Sequence, residues 1–126
     1  MKKSVLIVDD EPNIIVPLQF LMEQNGYDVV VAATGEAAMA AMAANRPDLI
    51  LLDIMLPGID GYQVCQTIRA KPEWREIKII FISAMGREVD VAKGLALAAD
   101  AYITKPFAIA DVVEKVKLLL EEGNGD

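Results

Sequence analysis

Five side chains in this chain could do chemistry together: Asp9, Asp10, Asp53, Ser83 and Lys105. Each stands at or just past the end of a short apolar run. In a parallel α/β sheet the carboxyl ends of the strands share one edge, so residues far apart in sequence converge there. Adjacent aspartates alone are common turn formers. Asp53, closing the run Leu49 to Leu52, adds a third carboxylate to the same crevice. Crowded carboxylates repel and raise one another's proton affinity unless a cation is supplied. Mg²⁺, which takes carboxylate, water and phosphate oxygens, answers that need. Lys105 brings an ammonium and Ser83 a hydroxyl, completing a pocket suited to an anion. Phosphoryl transfer needs positioning and charge neutralisation more than covalent chemistry from the protein. Asp53 is then the natural nucleophile, a carboxylate able to form an acyl phosphate.

The elements that must carry these groups are legible as a βα alternation. Runs at Ser4 to Val8, Asp28 to Ala33, Leu49 to Leu52, Lys78 to Ile82 and Ala101 to Ile103 read as strands. Several are apolar throughout, as parallel strands covered on both faces require. Between them apolar residues recur at helical spacing: Ile14, Ile15, Leu18, Leu21 and Met22, then Ala38, Met39 and Met42, and last Ile109, Val112, Val113, Val116, Leu119 and Leu120. The methionines in these stripes are core. Gly26, Gly35, Pro47, Pro57, Gly58 and Gly61 punctuate the division. Pro17 falls inside the first helical pattern and predicts a late helix start or a kink. Trp74, in a polar segment before the fourth strand, reads as a cap on the core or else an exposed contact residue, the cap being the expectation.

The 126 residues suit one domain spanning 1–120, with 121–126 as a flexible acidic tail or the start of a linker. No apolar run approaches the ~20 residues that cross a bilayer, and no signal peptide is evident, so the expected location is cytoplasmic. A net charge of -7 without any cluster of lysine and arginine disfavours direct nucleic-acid binding. Histidine is absent, which excludes a histidine base, a Ser-His-Asp triad and histidine metal ligands. The single cysteine, Cys65, lies on a helical stripe with Val64 and Ile68 and reads as a buried, inert thiol.

Taken jointly, Asp9-Asp10, Asp53 with Pro57 and Gly61 behind it, Ser83-Ala84 and Lys105-Pro106-Phe107 resemble the receiver domain of bacterial two-component response regulators (CheY-like), from about Ser4 to Leu120. The resemblance implies a doubly wound, flavodoxin-like (βα)5 fold with five parallel strands in the order 2-1-3-4-5. It implies that Asp53 is phosphorylated by a phosphohistidine on a sensor histidine kinase or a histidine phosphotransfer protein. It further implies Mg²⁺ on Asp10, Asp53 and the Met55 carbonyl, with Asp9 acting largely through water. Lys105 would pair with the phosphoryl oxygens, and its bond to Pro106 would be cis. Ser83 and Tyr102 would be the switch pair that reshapes the surface of helix four, strand five and helix five, for a downstream effector or a C-terminal output domain. Such a protein is a signalling switch that catalyses only its own phosphorylation and dephosphorylation, not a turnover enzyme.

Three departures from that family's pattern carry expectations. Met55 and Met85 stand where many members place polar side chains beside the hydrolytic water, which predicts slow self-dephosphorylation. Ala98 replaces a glycine suited to a left-handed helix end, at a cost of ~1 kcal/mol if that conformation is kept, or else a looser end to helix four. The last helix, read as Asp111 to Leu120, offers only Lys115 and Lys117 where DNA-binding members pair arginines, which speaks against that style of dimer. The alternative to the phosphoacceptor is a phosphate-independent interaction module of the same fold. A phosphohydrolase would need a second acid/base carboxylate and a cap, and a flavin module a hydroxyl- and glycine-rich phosphate loop; the chain shows neither.

Overall fold

The fold, taken from a computed structural model, is described for residues 2–122. Strand β1 (Ser4–Val8) leads to helix α1 (Pro12–Gln24), β2 (Asp28–Ala32) to α2 (Gly35–Ala44), and β3 (Leu49–Leu52) to α3 (Gly61–Ala70). A short 3-10 turn (Pro72–Trp74) precedes β4 (Lys78–Ser83), α4 (Glu88–Ala96), β5 (Ala101–Thr104) and α5 (Ile109–Glu122). The five strands are all parallel, in the order β2-β1-β3-β4-β5. The doubly wound α/β architecture read from the sequence is the one the chain adopts.

The period-2 alternation of a strand sends successive side chains to opposite faces, and here each face has its own core. Leu6, Val8, Ile50, Leu52, Ile79 and Phe81 face one way and pack with Met42 of α2 and Ile68 of α3. Val5, Ile7, Leu49, Leu51, Ile80 and Ile82 face the other way and pack with Leu18 and Met22 of α1 and Val112 and Val116 of α5. β3, at the centre, is buried at all four positions, which explains its uninterrupted Leu-Ile-Leu-Leu. Trp74 is 8% exposed and belongs to the first core, closed from outside by the Lys71 ammonium over its ring at 5.1 Å. Cys65 is buried, and burial pushes its thiol up to about 11, so it stays protonated. Among the described residues, no helix is long and apolar enough to cross a membrane.

One local expectation needs correction. α1 is not delayed: it begins at Pro12, where a proline without an amide is tolerated, and Pro17 lies in its interior. Pro17 has no amide to offer the carbonyl of Asn13 one turn earlier, and Asn13 is an exposed residue. Of the acidic tail read as 121–126, Glu121 and Glu122 belong to α5, and residues 123–126 lie outside the described residues.

Ala98 does adopt the left-handed conformation, with φ of 70°, so helix four ends tightly and not loosely. The Ala98 amide reaches the Leu95 carbonyl at 3.0 Å and the Ala99 amide the Gly94 carbonyl at 3.4 Å, the paired bonds of a Schellman ending.

Candidate functional site

Sheet register builds the site. Val8 is level with Leu52 across the β1–β3 ladder, so Asp9 and Asp53 leave the sheet side by side, and the Asp53 amide is tied to the Val8 carbonyl at 3.0 Å. Ser83 is level with Thr104 across β4–β5, and the Lys105 amide donates to the Ser83 carbonyl at 2.8 Å. The Lys105–Pro106 peptide is cis. Asp9, Asp10 and Asp53 each present a carboxylate oxygen within 4.8 Å of the others, with Asp9 and Asp53 buried and Asp10 exposed.

The Lys105 ammonium donates to Asp53 Oδ2 at 3.3 Å, Asp9 Oδ2 at 3.1 Å and Glu11 Oε1 at 2.5 Å. Burial pushes the Asp53 carboxyl above its ordinary range and the neighbouring Asp9 charge adds to that, against the Lys105 charge and the Met55 amide, which donates to Asp53 Oδ1 at 3.2 Å. Burial disfavours the charged form of Lys105, but hydrogen bonds to Glu11 and Asp9 together with the Asp53 charge prevail and hold it firmly protonated. One cation therefore faces a surplus of carboxylates.

The loop after β3 is pinned from beneath. The Gly61 amide donates to the Ile54 carbonyl at 2.8 Å, and a Cβ on Gly61 would lie 2.3 Å from the Asp53 carbonyl oxygen, so only glycine lets α3 begin this close. Asp60 and Gln63 close that helix with a reciprocal capping box. Met55, 65% exposed, and half-buried Met85 flank an open depression of about 550 Å³ that also takes in Asp10, Leu56, Pro57 and Lys93.

Behind the acidic pocket, Ser83 is fully buried and its Oγ accepts the Met85 amide at 3.2 Å, while the Tyr102 hydroxyl donates to the Met85 carbonyl. Ser83 and Tyr102 thus grip the two ends of the same residue's backbone. Burial pushes the Tyr102 phenol up to about 12, so it remains a donor. Its ring packs on Phe81 at 5.9 Å between centroids, and Gly94 of α4 makes room, since a Cβ there would come within 2.9 Å of the ring.

The structure brings Asp9, Asp10, Asp53 and Lys105 together, joins Ser83 to Lys105 through the backbone, and sets Tyr102 beside Ser83. It also adds groups the sequence reading missed. Glu11 joins the Lys105 cluster, a contact that nothing local announces because the two lie 94 positions apart. Asp90, buried in the first turn of α4, accepts from Arg87 Nε at 3.0 Å and Nη2 at 3.1 Å, and those bonds hold its carboxyl below the usual range. An acid three residues after an arginine at a helix start was a readable signal.

The sequence profile of the response regulator receiver domain matches residues 5–117. The chain belongs to that family. It is 42% identical over 120 residues to the alkaline phosphatase synthesis transcriptional regulatory protein PhoP of Bacillus subtilis, covering 95% of this chain and 49% of that protein. It is 37% identical over 123 residues to the sensory transduction protein RegX3 of Mycobacterium tuberculosis, covering 98% of this chain and 53% of that protein. The chain thus spans about half the length of the curated relatives it matches. Among solved structures, a two-component response regulator from Clostridium difficile superimposes with a TM-score of 0.91 at 26% identity, covering 98% of this chain and 100% of that one. This is a CheY-like receiver domain of a two-component system.

Proposed function

We propose that the chain is a phosphoacceptor whose Asp53 takes a phosphoryl group from a phosphohistidine of a partner kinase or phosphotransfer protein, in a Mg²⁺-dependent step. The observation that carries this reading is the placement of Asp53. Its buried carboxylate meets the Lys105 ammonium on one side and the Asp9 and Asp10 carboxylates on the other. A nucleophile needs the first contact to guide an anion toward it, and the second makes sense only with a cation.

The donor set fits magnesium: three carboxylates with mutually close oxygens, two of them buried, whose charge Lys105 alone does not balance. Asp10, Asp53 and the Met55 carbonyl would hold the ion, with Asp9 acting largely through water. When bound, it neutralises charge on the transferring group. An Asp53 carboxylate oxygen attacks phosphorus; the P–N bond of the phosphohistidine breaks, a P–O bond forms, and the imidazole leaves and is reprotonated from water. Lys105 donates to the phosphoryl oxygens that gain charge. Ser83 turns its hydroxyl from the Met85 amide to the new group, and loss of that bond loosens the Met85 backbone that Tyr102 also holds. The packing of Tyr102 between Phe81 and α4 couples this to the outer surface of α4, β5 and α5 as a population shift. Met55 and Met85 crowd the approach of water without orienting it, which slows hydrolysis of the acyl phosphate. The work is done in the cytoplasm, and the output passes to an effector protein or to a further domain of a longer regulator.

Intact mass after incubation with phosphoramidate and Mg²⁺ tests this. One added phosphoryl group, lost in Asp53→Asn and with a chelator, is the expected result. No uptake by a folded protein that binds Mg²⁺ would favour a phosphate-independent interaction module instead.

A further inference from the structure

Glu11 occupies the N-cap of α1: its carbonyl accepts the Ile14 amide at 2.9 Å and the Ile15 amide at 3.0 Å. Its side chain makes no capping bond. A polar side chain in that position ordinarily serves the helix by accepting one of its free amides. This carboxylate reaches outward to Lys105 instead, and at 2.5 Å it makes the shortest of that ammonium's three carboxylate contacts. The Glu11 backbone is fixed for the purpose, since its amide donates to Asp9 Oδ1 at 2.9 Å. Asp9 and Asp53 are buried beneath, and the half-exposed Glu11 forms the outer wall.

An ammonium has three N–H donors and no more. Asp9, Glu11 and Asp53 engage all three, and the contact to Asp53 is the longest, at 3.3 Å. A phosphoryl group arriving on Asp53 needs a donor from Lys105, so one of the existing bonds must yield. We propose that Glu11 is a positioning residue that parks the Lys105 ammonium in the unmodified protein and must release it for Asp53 to accept the phosphoryl group. The inference rests on the phosphoacceptor reading above. Because the Glu11 contact belongs to the unmodified state and is surrendered in the modified one, it sets the balance between the two by differential interaction. Removing it frees the lysine in advance and speeds phosphoryl uptake.

The test compares the wild type with Glu11→Gln and Glu11→Asp in phosphoramidate and Mg²⁺, where the P–N bond breaks, a P–O bond to Asp53 forms and ammonia leaves. Aspartate keeps the charge but is one methylene too short to hold Lys105, and at an N-cap it stabilises the helix. Both variants are expected to react about three- to tenfold faster, as loss of a modest ground-state contact gives. In the Mg²⁺-free proteins, the Lys105 ammonium protons, assigned with Lys105→Met, should exchange with water faster in both variants by ¹⁵N side-chain NMR. Unchanged uptake in both variants, beside a wild type that still phosphorylates, overturns the role of Glu11 and leaves the Asp53 reading standing. A gain in Glu11→Gln alone also overturns it, in favour of simple charge repulsion of the donor. A wild type that takes up nothing removes the reading and this inference with it.

Discussion

Two cationic side chains organise polar clusters at opposite ends of the sheet, and they are built to different ends. Near the amino ends of β4 and β5, Arg69 donates to the Ala98, Arg75 and Ile77 carbonyls at 2.9, 3.0 and 2.7 Å and to Asp100 at 3.0 Å. Asp100 in turn accepts the Ile79 amide at 2.8 Å. One cation meets one carboxylate and three carbonyls, so charge and hydrogen bonds close within the protein. At the carboxyl edge, Lys105 meets Asp9, Glu11 and Asp53, with Asp10 beside them, and the charge does not close. A balanced network fixes backbone segments in place. An unbalanced one stores affinity for what is missing, here a cation and a phosphoryl group.

Removing the cation from the balanced end should hurt most. Arg69→Met keeps the aliphatic stem but strands the carbonyls and Asp100, so a loss of about 2–3 kcal/mol is expected by urea denaturation, part of the Asp100 pairing being screened by solvent. Phosphoryl uptake per folded molecule should be untouched. A loss under ~0.5 kcal/mol would mean that water replaces those bonds at no cost and that the cluster is no clamp.

At the unbalanced end the same logic reverses the sign. Asp53→Asn removes a desolvated carboxylate that repels Asp9, so without Mg²⁺ the variant should melt a few degrees above wild type. Because the folded-state value of Asp53 is raised, the native protein binds the extra proton, and the penalty is present at neutral pH. The penalty fades as pH falls through that raised value toward the ordinary 3.8, so the advantage of Asp53→Asn should shrink with it. Added Mg²⁺ should also erase it by favouring wild type. A variant less stable than wild type without Mg²⁺ at neutral pH would show that the Lys105 contact outweighs the repulsion.

The contrast also explains what could be read in advance. The strands were legible because both of their faces are buried, and Asp9, Asp53, Ser83 and Lys105 were legible because each marks a strand end. Strand order was not contained in the pattern itself, since β1 pairs with both β2 and β3, and came from the family resemblance. Pro17 misled because α1 starts at Pro12 and carries a second proline in its interior, opposite the exposed residue Asn13 one turn earlier. Glu11 was invisible because its partner lies 94 positions away, and the Arg69 cluster because Ala98 and Asp100 lie 29 and 31 positions away. For Arg69, a cation in the last turn of a helix was the one available hint, since free carbonyls collect there.

The smallest expected effect lies where the balanced cluster meets the end of α4. The Ala98 carbonyl that receives Arg69 belongs to a residue held at φ of 70°, a conformation in which its Cβ crowds the backbone. Glycine has no such penalty but surrenders more freedom on folding, so the two effects oppose. In a left-handed helix end the steric term wins, and Ala98→Gly is expected to stabilise by about 0.5–1 kcal/mol. The gain should persist in the Arg69→Met background if the Schellman bonds from Ala98 and Ala99 alone impose the conformation. It should fall toward zero if Arg69 is what pulls the Ala98 carbonyl into place, because alanine would then relax once released. A double-mutant cycle by urea denaturation separates the two: additivity assigns the strained turn to the helix ending, and coupling assigns it to the arginine clamp.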